Sequence, residues 1–178
     1  MHYGFAIDQE RCIGCHTCAV ACKIENNLPN EIWWNRILTD GGSNEMDIPR
    51  GSFPDSSIDY LPVNCQHCGN PACVRVCPVG ATYKDEATGI VRQDYDKCIG
   101  CRMCMAACPY TGVRSFNWQE PEYMLDYTLG AKDSPEHQRH TVEKCTMCWH
   151  RVADGGEPEC VKACPGRCLL YTSPSPRD

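Results

Sequence analysis

Large aliphatic and aromatic core residues are scarce in this sequence, because Leu, Ile, Val and Phe together account for only 29 of 178 residues. That share, about 16%, is below the range usual for globular domains and predicts a thin hydrophobic core. The net charge of −6 is too modest to indicate a disordered acidic chain. Cysteine is in excess, with 17 copies. Small cores need cross-links, so disulfides or metal must supply much of the missing stability.

Other missing features narrow the class of protein. The acidic balance leaves no basic surface for nucleic acid, so we expect no nucleic-acid partner. No apolar run approaches the roughly 20 residues of a membrane-spanning helix, so we expect no direct membrane span. The start of the chain lacks the basic segment and apolar stretch of a secretory signal. Together with the bunching of the cysteines, this argues against a disulfide framework in an exported protein.

Sixteen of the 17 cysteines fall into four runs of four. In order along the chain, the runs are Cys12, Cys15, Cys18 and Cys22; Cys65, Cys68, Cys73 and Cys77; Cys98, Cys101, Cys104 and Cys108; and Cys145, Cys148, Cys160 and Cys164. The last three runs end in Cys-Pro, whereas Lys23 follows the first run and lets its helix continue towards Asn26 or Asn27. Closely spaced cysteines followed by a Cys-Pro pair are typical of [4Fe–4S] ligand runs.

The fourth cysteine of such a run ligates the other cluster in two-cluster ferredoxins. The second and third runs are neighbours and predict a local ferredoxin, which leaves the first and fourth runs to pair from the two ends of the chain. The predicted ligands are Cys12, Cys15, Cys18 and Cys164 for cluster 1; Cys145, Cys148, Cys160 and Cys22 for cluster 2; Cys65, Cys68, Cys73 and Cys108 for cluster 3; and Cys98, Cys101, Cys104 and Cys77 for cluster 4. No catalytic residue is predicted, since no nucleophile triad or carboxylate pair stands out.

Two other metal chemistries fit parts of this pattern. Cys12 to His16 matches the C-x-x-C-H haem-attachment motif, but haem would leave Cys18 and Cys22 unexplained. Sets of four cysteines also suit tetrahedral zinc, so a zinc-binding interaction module is the alternative from another functional class. Isolated zinc sites have no need of crossed runs that end in Cys-Pro.

The predicted fold class is α+β, with two nested ferredoxin-like units and long loop insertions. The outer unit takes residues 1–30 and 140–167, the loop insertion 31–60, the inner unit 61–118, the connecting loop 119–139, and a non-native tail 168–178. A hairpin is predicted from residues 81–84 and 90–93. Of the histidines, we expect His67 in a loop and His137 and His140 exposed to solvent.

Two further groups of residues have open interpretations. Trp33 and Trp34 form the only large apolar group in the sequence of the insertion, and they either pack locally or contact a partner subunit. Lys23, Arg75 and Arg102 lie beside cysteines, where a positive charge would tune cluster potentials unless it is simply solvated.

The four runs, their order, the long insertion after Cys22, and the eleven-residue gap after Cys148 resemble one family over residues 3–167. That family is the four-cluster electron-transfer subunit of dimethyl-sulfoxide-reductase-type molybdoenzymes, and its nested pairing agrees with the one above. In its nitrate-reductase branch the second cysteine of the third run is replaced and a three-iron cluster results. Cys101 is present here, which favours four [4Fe–4S] clusters.

The resemblance implies two partners, a molybdopterin-containing catalytic subunit and a membrane anchor subunit that exchanges electrons with quinol. It implies a relay of single electrons between them in an anaerobic respiratory oxidoreductase. Similar subunits serve hydrogenase and formate-hydrogenlyase complexes, which is the alternative within electron transfer. Membrane association through partners is expected, on the cytoplasmic face or, with a twin-arginine signal on the catalytic partner, on the exported face.

The C-terminus departs from the family, which usually has a closing strand after its last cysteine. Residues 168–178 look instead like a translated sequencing adaptor, which would make Cys168 accidental and leave the native last strand missing. The alternative is a Ser-Pro tail without regular structure.

Overall fold

The computed structural model of the chain describes residues 3–40, 47–110 and 112–172. The strands in these residues are β1 Gly4–Ile7, β2 Asn35–Thr39, β3 Arg50–Ser52, β4 Asp55–Ser57, β5 Tyr60–Asn64, β6 Thr82–Lys84, β7 Val91–Gln93, β8 Arg114–Phe116, β9 Val142–Lys144 and β10 Leu169–Thr172. The helices are α1 Thr17–Glu25, α2 Ala72–Arg75, α3 Met103–Ala106, α4 Trp149–Val152 and α5 Glu159–Lys162. None of these helices is long and apolar enough to cross a membrane.

The strands form antiparallel two-stranded ribbons, which pair β1 with β10, β2 with β5, β3 with β4, β6 with β7, and β8 with β9. The β6–β7 ribbon is the hairpin predicted from the sequence. In the β1–β10 ribbon Ile7 lies opposite Leu169, and helix α1 packs against α5. The beginning and the end of the described residues therefore pack against each other.

Helix α1 carries two cysteines of the first run on its buried side, Cys18 and Cys22, together with Ala19. It continues past Cys22, as the absence of a following proline predicts, and ends at Asn26. The Asn26 side chain donates a 2.9 Å hydrogen bond to the Cys22 carbonyl. The Lys23 ammonium donates to the carbonyls that follow the helix, at 2.6 Å to Pro29 and 3.0 Å to Asn30 and Ile32. Lys23 thus fixes the backbone of the segment that follows the helix.

The segment at residues 31–60, which we predicted to be a loop, contains strands β2, β3 and β4 and the first residue of β5. Strand β2 alternates buried and half-buried residues, with Ile37 in its centre, and this alternation is typical of a strand that covers a core. Trp34 is only 1% exposed and packs with Ile32 and Leu28, whereas Trp33 is half-buried. Local packing therefore accounts for Trp34.

The residues after Cys168 form strand β10, so a strand does follow the last cysteine run. That the native closing strand is missing stays a prediction. Leu169 is buried in an apolar cluster with Ile37 and Cys160, against which Phe5 and Ile7 pack. Strand pairing with β1 and the burial of Leu169 thus fix the position of residues 169–172 of the predicted tail. Residues 173–178 lie outside the described residues, and the adaptor origin of the tail stays a prediction.

A buried polar network connects the end of α1, the residue before β2 and strand β9 through the carboxylate of Glu143. Its Oε2 accepts a 3.2 Å hydrogen bond from Trp34 Nε1, and its Oε1 lies 2.8 Å from His137 Nδ1. His137 Nε2 lies 3.0 Å from the Asn26 carbonyl, so both ring nitrogens face acceptors and the ring must carry two protons. The His137 side chain is 2% exposed, so our prediction of a solvent-exposed His137 is wrong; His140 is exposed, as predicted.

The protonated form of His137 makes the stability of the fold depend on pH. Burial lowers the pKa of His137, but the hydrogen bond and charge of Glu143 outweigh burial, and the net shift is upward. A raised folded-state pKa stabilises the protein below the unfolded value of about 6.5, and this contribution is lost as pH rises through the folded-state value. We therefore expect the thermal midpoint of the wild type to fall between about pH 6 and about pH 9 more steeply than that of His137→Gln. Equal slopes would contradict this role.

Candidate metal centres

The structure gathers sixteen of the cysteines into four groups, each with three members from one run and one from another. The seventeenth, Cys168, lies beside group 1, with its Sγ 3.3 Å from Cys164 Sγ. Group 1 is Cys12, Cys15, Cys18 and Cys164; group 2 is Cys22, Cys145, Cys148 and Cys160; group 3 is Cys65, Cys68, Cys73 and Cys108; and group 4 is Cys77, Cys98, Cys101 and Cys104. In group 1 the Cys18 thiol interacts electrostatically with the other three, as the Cys68 thiol does in group 3. The members of group 2 line one small cavity, and those of group 4 line another.

These groups have the donor chemistry of cubane clusters. Among the described residues, no three or more His, Cys, Asp or Glu side chains converge on a point that a single metal ion could occupy. A cubane does not need such convergence, because each cysteine binds a different iron corner. When bound, a [4Fe–4S] cluster takes up and releases one electron at a time.

The repeated Cys-Ile-Gly-Cys opening of the first and third runs adopts the same backbone conformation in both places. Gly14 and Gly100 have φ angles of +66° and +67°, and His16 and Arg102, which precede the helices, have +57° and +59°. His16 therefore occupies the same left-handed position as Arg102. Because arginine is not a haem ligand, the position does not require a haem-binding histidine, and this argues against the haem alternative. Positive φ favours glycine, so the opening glycines fix the shape of both loops.

Gly100 also needs its lack of a side chain because of close packing. A Cβ at Gly100 would lie 2.3 Å from the His140 carbonyl oxygen, whereas a Cβ at Gly155, with φ +78°, would meet no atom within 4 Å. Both Gly→Ala substitutions impose left-handed strain of about 1–2 kcal/mol. We expect Gly100→Ala to lower the thermal midpoint further than the matched control Gly155→Ala, and to reduce the iron bound per chain while the control does not. Equal effects of the two variants would show that backbone conformation alone matters at Gly100.

Burial controls the protonation of most of these thiols. It raises the pKa of Cys18 to about 11 and of Cys145 to about 12, and neighbouring cysteines add to the effect. The pKa of Cys22 is raised well above its usual value for the same two reasons. Since thiolates are the metal-binding form, metal must displace these protons, and its positive charge offsets the burial of four thiolates.

Two of the three cysteines that precede a proline, Cys77 and Cys164, are surrounded by backbone donors. Burial alone would raise their pKa values, but N–H groups of the following turns outweigh it, and both values are lowered. The Thr82 N–H lies 3.4 Å from Cys77 Sγ, and the Cys168 N–H lies 3.3 Å from Cys164 Sγ. Proline ends each helix and lets the next residues fold back over the sulfur. Hydrogen bonds to sulfur are one means of tuning cluster potentials.

Three polar residues of these sites escaped the sequence analysis. Asn26 donates to Cys22 Sγ at 3.7 Å and so replaces the turn that a Cys-Pro pair provides. Arg114 and Lys144 are buried beside the cysteine groups, with 5% and 1% of their surface exposed. Basic residues in short strands are usually solvated, so nothing in the sequence marked Arg114 and Lys144 as buried. The only signal for them was their place in strands next to cysteine runs. For Asn26 the signal was its position one helical turn after Cys22.

Comparison with known proteins agrees with this geometry. A family model described as a 4Fe-4S dicluster domain matches residues 56–124 and 131–173, and a second model of the same description matches residues 11–81. An iron–sulfur subunit from Halobacterium salinarum, whose name assigns it to a "putative dimethyl sulfoxide reductase", is 51% identical over 176 residues. The iron–sulfur subunit of the arsenate respiratory reductase of a Shewanella species is 39% identical over 194 residues, and one chain of the anaerobic dimethyl sulfoxide reductase of Escherichia coli is 40% identical over 169.

The matches cover nearly all of this sequence and only part of each relative. They span 96%, 93% and 95% of this chain, and 65%, 79% and 72% of the Halobacterium, Shewanella and Escherichia proteins respectively. The chain therefore spans slightly less than two thirds of the Halobacterium relative.

Proposed function

Because the chain is a member of the family of iron–sulfur subunits of dimethyl sulfoxide reductases and related molybdoenzymes, we propose that it relays single electrons from one partner subunit to another. Four [4Fe–4S] clusters are the cofactors of this relay. The proposed partners are a molybdopterin-containing catalytic subunit and a membrane subunit that exchanges electrons with quinol. The complex would be an anaerobic respiratory oxidoreductase, and the chain would associate with the membrane through its partners.

The cysteine groups supply the ligands in this proposal. Group 1 holds cluster 1, group 2 cluster 2, group 3 cluster 3 and group 4 cluster 4, which is the crossed assignment expected from the sequence. The grouping of the fourth cysteine of each run with three cysteines of another run supports it. On this assignment, groups 1 and 2 belong to the outer unit at residues 1–30 and 140–167, and groups 3 and 4 belong to the inner unit at residues 61–118.

The single observation that carries the relay is that each of the four groups adjoins the next, from group 1 to group 4. Helix α1 carries Cys18 of group 1 and Cys22 of group 2. Cys65 of group 3 and Cys145 of group 2 share one apolar cluster, and their thiols interact. Cys73 of group 3 interacts with Cys104 of group 4 across the packed helices α2 and α3. An electron that enters at either end can therefore pass through neighbouring groups in sequence.

In this proposal the side chains and backbone groups of this chain hold the clusters and set their potentials, and they form and break no covalent bonds themselves. Backbone N–H groups point at Cys77 and Cys164, and apolar side chains such as Trp34 and Leu28 keep water from group 2. Burial and hydrogen bonds to sulfur both shift cluster potentials. The chemistry of the terminal acceptor would belong to the catalytic partner.

Anaerobic purification of the chain, alone and with its partner subunits, tests the proposed function. We expect equal amounts of iron and acid-labile sulfide and no zinc in both preparations. With a quinol donor, the complex should reduce at least one of the probes dimethyl sulfoxide, arsenate and selenate. The chain alone should reduce none of them. A colourless zinc protein without sulfide, or acceptor reduction by the isolated chain, would contradict the proposal.

A further inference from the structure

Two buried cations lie directly opposite each other on the β8–β9 ribbon. The register pairs Arg114 with Lys144, so their side chains lie on the same face of the ribbon. Like charges at opposite positions repel, and buried charges without a counter-charge are strongly unfavourable. In the described part of the chain, no carboxylate lies within ion-pair distance of either residue. Their counter-charge must come from another source.

The side-chain N–H groups of the two cations have different hydrogen-bond partners. Lys144 Nζ donates to the Cys145 carbonyl at 2.8 Å and to the Val91 carbonyl. Arg114 Nη1 and Nη2 have no oxygen or nitrogen acceptor among the described residues, although both atoms are fully buried. A guanidinium keeps its charge at every relevant pH. Arg114 is therefore a permanent buried charge, and its side-chain hydrogen bond is to the sulfur of Cys73.

The groups that face Arg114 are the thiols of both inner cysteine groups. It interacts with Cys65, Cys73 and Cys108 of group 3 and with Cys104 of group 4. The remaining neighbour with a basic side chain is His67, whose pKa is well below its usual value because of burial and the two cations, so that it is uncharged. Arg114 thus lies where the two inner groups meet.

A cation in this position changes the reduction potential of a nearby cluster, and no proton is taken up or released. The thiolates of a [4Fe–4S] cluster carry more negative charge than the iron–sulfide core carries positive, so the assembled cluster is anionic. When one electron moves from a neighbouring cluster to an inner cluster, the donor is oxidised by one electron and the acceptor becomes more negative by one charge. No proton moves, because Arg114 is protonated before and after. A nearby buried cation stabilises the more negative, reduced state.

We propose that Arg114 is a positioning residue whose buried charge raises the reduction potentials of clusters 3 and 4 and so makes the inner unit the electron-accepting half of the relay. This inference rests on the proposed function and deepens it. The thiols that interact most strongly with Arg114 are those of the inner groups, so the outer clusters should be much less affected.

Redox titration monitored by electron paramagnetic resonance tests this proposal on the assembled complex. Cys68→Ser and Cys101→Ser identify the signals of clusters 3 and 4. Arg114→Met, which keeps an unbranched side chain and removes the charge, should lower the ratio of reduced to oxidised inner cluster about tenfold at a fixed ambient potential, equivalent to about 59 mV for one electron. Arg114→Lys should retain most of the wild-type potential. The control Arg139→Met, at an exposed arginine, should shift none of the signals.

Several results would overturn the proposal. Unchanged inner potentials in Arg114→Met, an equal shift of all four clusters, or a shift in Arg114→Lys as large as in Arg114→Met would each do so. If Arg114→Met fails to bind iron, Arg114→Lys decides: a loaded variant with wild-type potentials supports the role of charge, and an unloaded or strongly shifted one contradicts it. Failure of the proposed function is distinguishable, because the wild type itself would then lack four [4Fe–4S] signals.

Discussion

Coordination by cysteine thiolates is the constraint on which the rest of this structure depends. Seven of the 21 buried apolar residues in the described part of the chain are cysteines of the four groups, so a third of the core consists of candidate metal ligands. Burial keeps thiols such as Cys145 protonated in the absence of metal, which couples metal binding to folding. Two-stranded ribbons and helices of a single turn have little stability by themselves. Cluster binding has to supply what apolar packing does not.

The proposed crossing of ligands between runs would connect this stability to electron transfer. A cluster that takes Cys22 together with Cys145 closes a loop of more than a hundred residues and brings the two ends of the chain together. The same crossing places consecutive cysteines of one helix in two different groups, as Cys18 and Cys22 show on α1. Helix α1 is thereby also a short link between groups 1 and 2.

The sequence was enough to propose the cysteine groups and to predict the β6–β7 hairpin and the continuation of α1 past Cys22, because spacing and the presence or absence of proline act locally. It did not predict the strands from residue 31 to residue 60, whose pairing of β2 with β5 depends on contacts distant in sequence. Nor did it predict the burial of His137, since its partners Glu143 and Asn26 come from separate parts of the chain. Arg114 was missed because a basic side chain is normally exposed, and only the three-dimensional grouping of thiols makes its burial possible.

The crossed assignment is most directly tested by replacing Cys22 with serine and comparing the result with Cys168→Ser, which changes a buried cysteine that lies beside group 1 but is not one of the predicted ligands. The signal lost by electron paramagnetic resonance in Cys22→Ser should be the one lost in Cys148→Ser. The cluster disturbed by Cys15→Ser should remain intact in Cys22→Ser, and the control Cys168→Ser should retain all four clusters. If Cys22→Ser disturbs the cluster of Cys12, Cys15 and Cys18 and leaves that of Cys145 intact, the crossing is wrong.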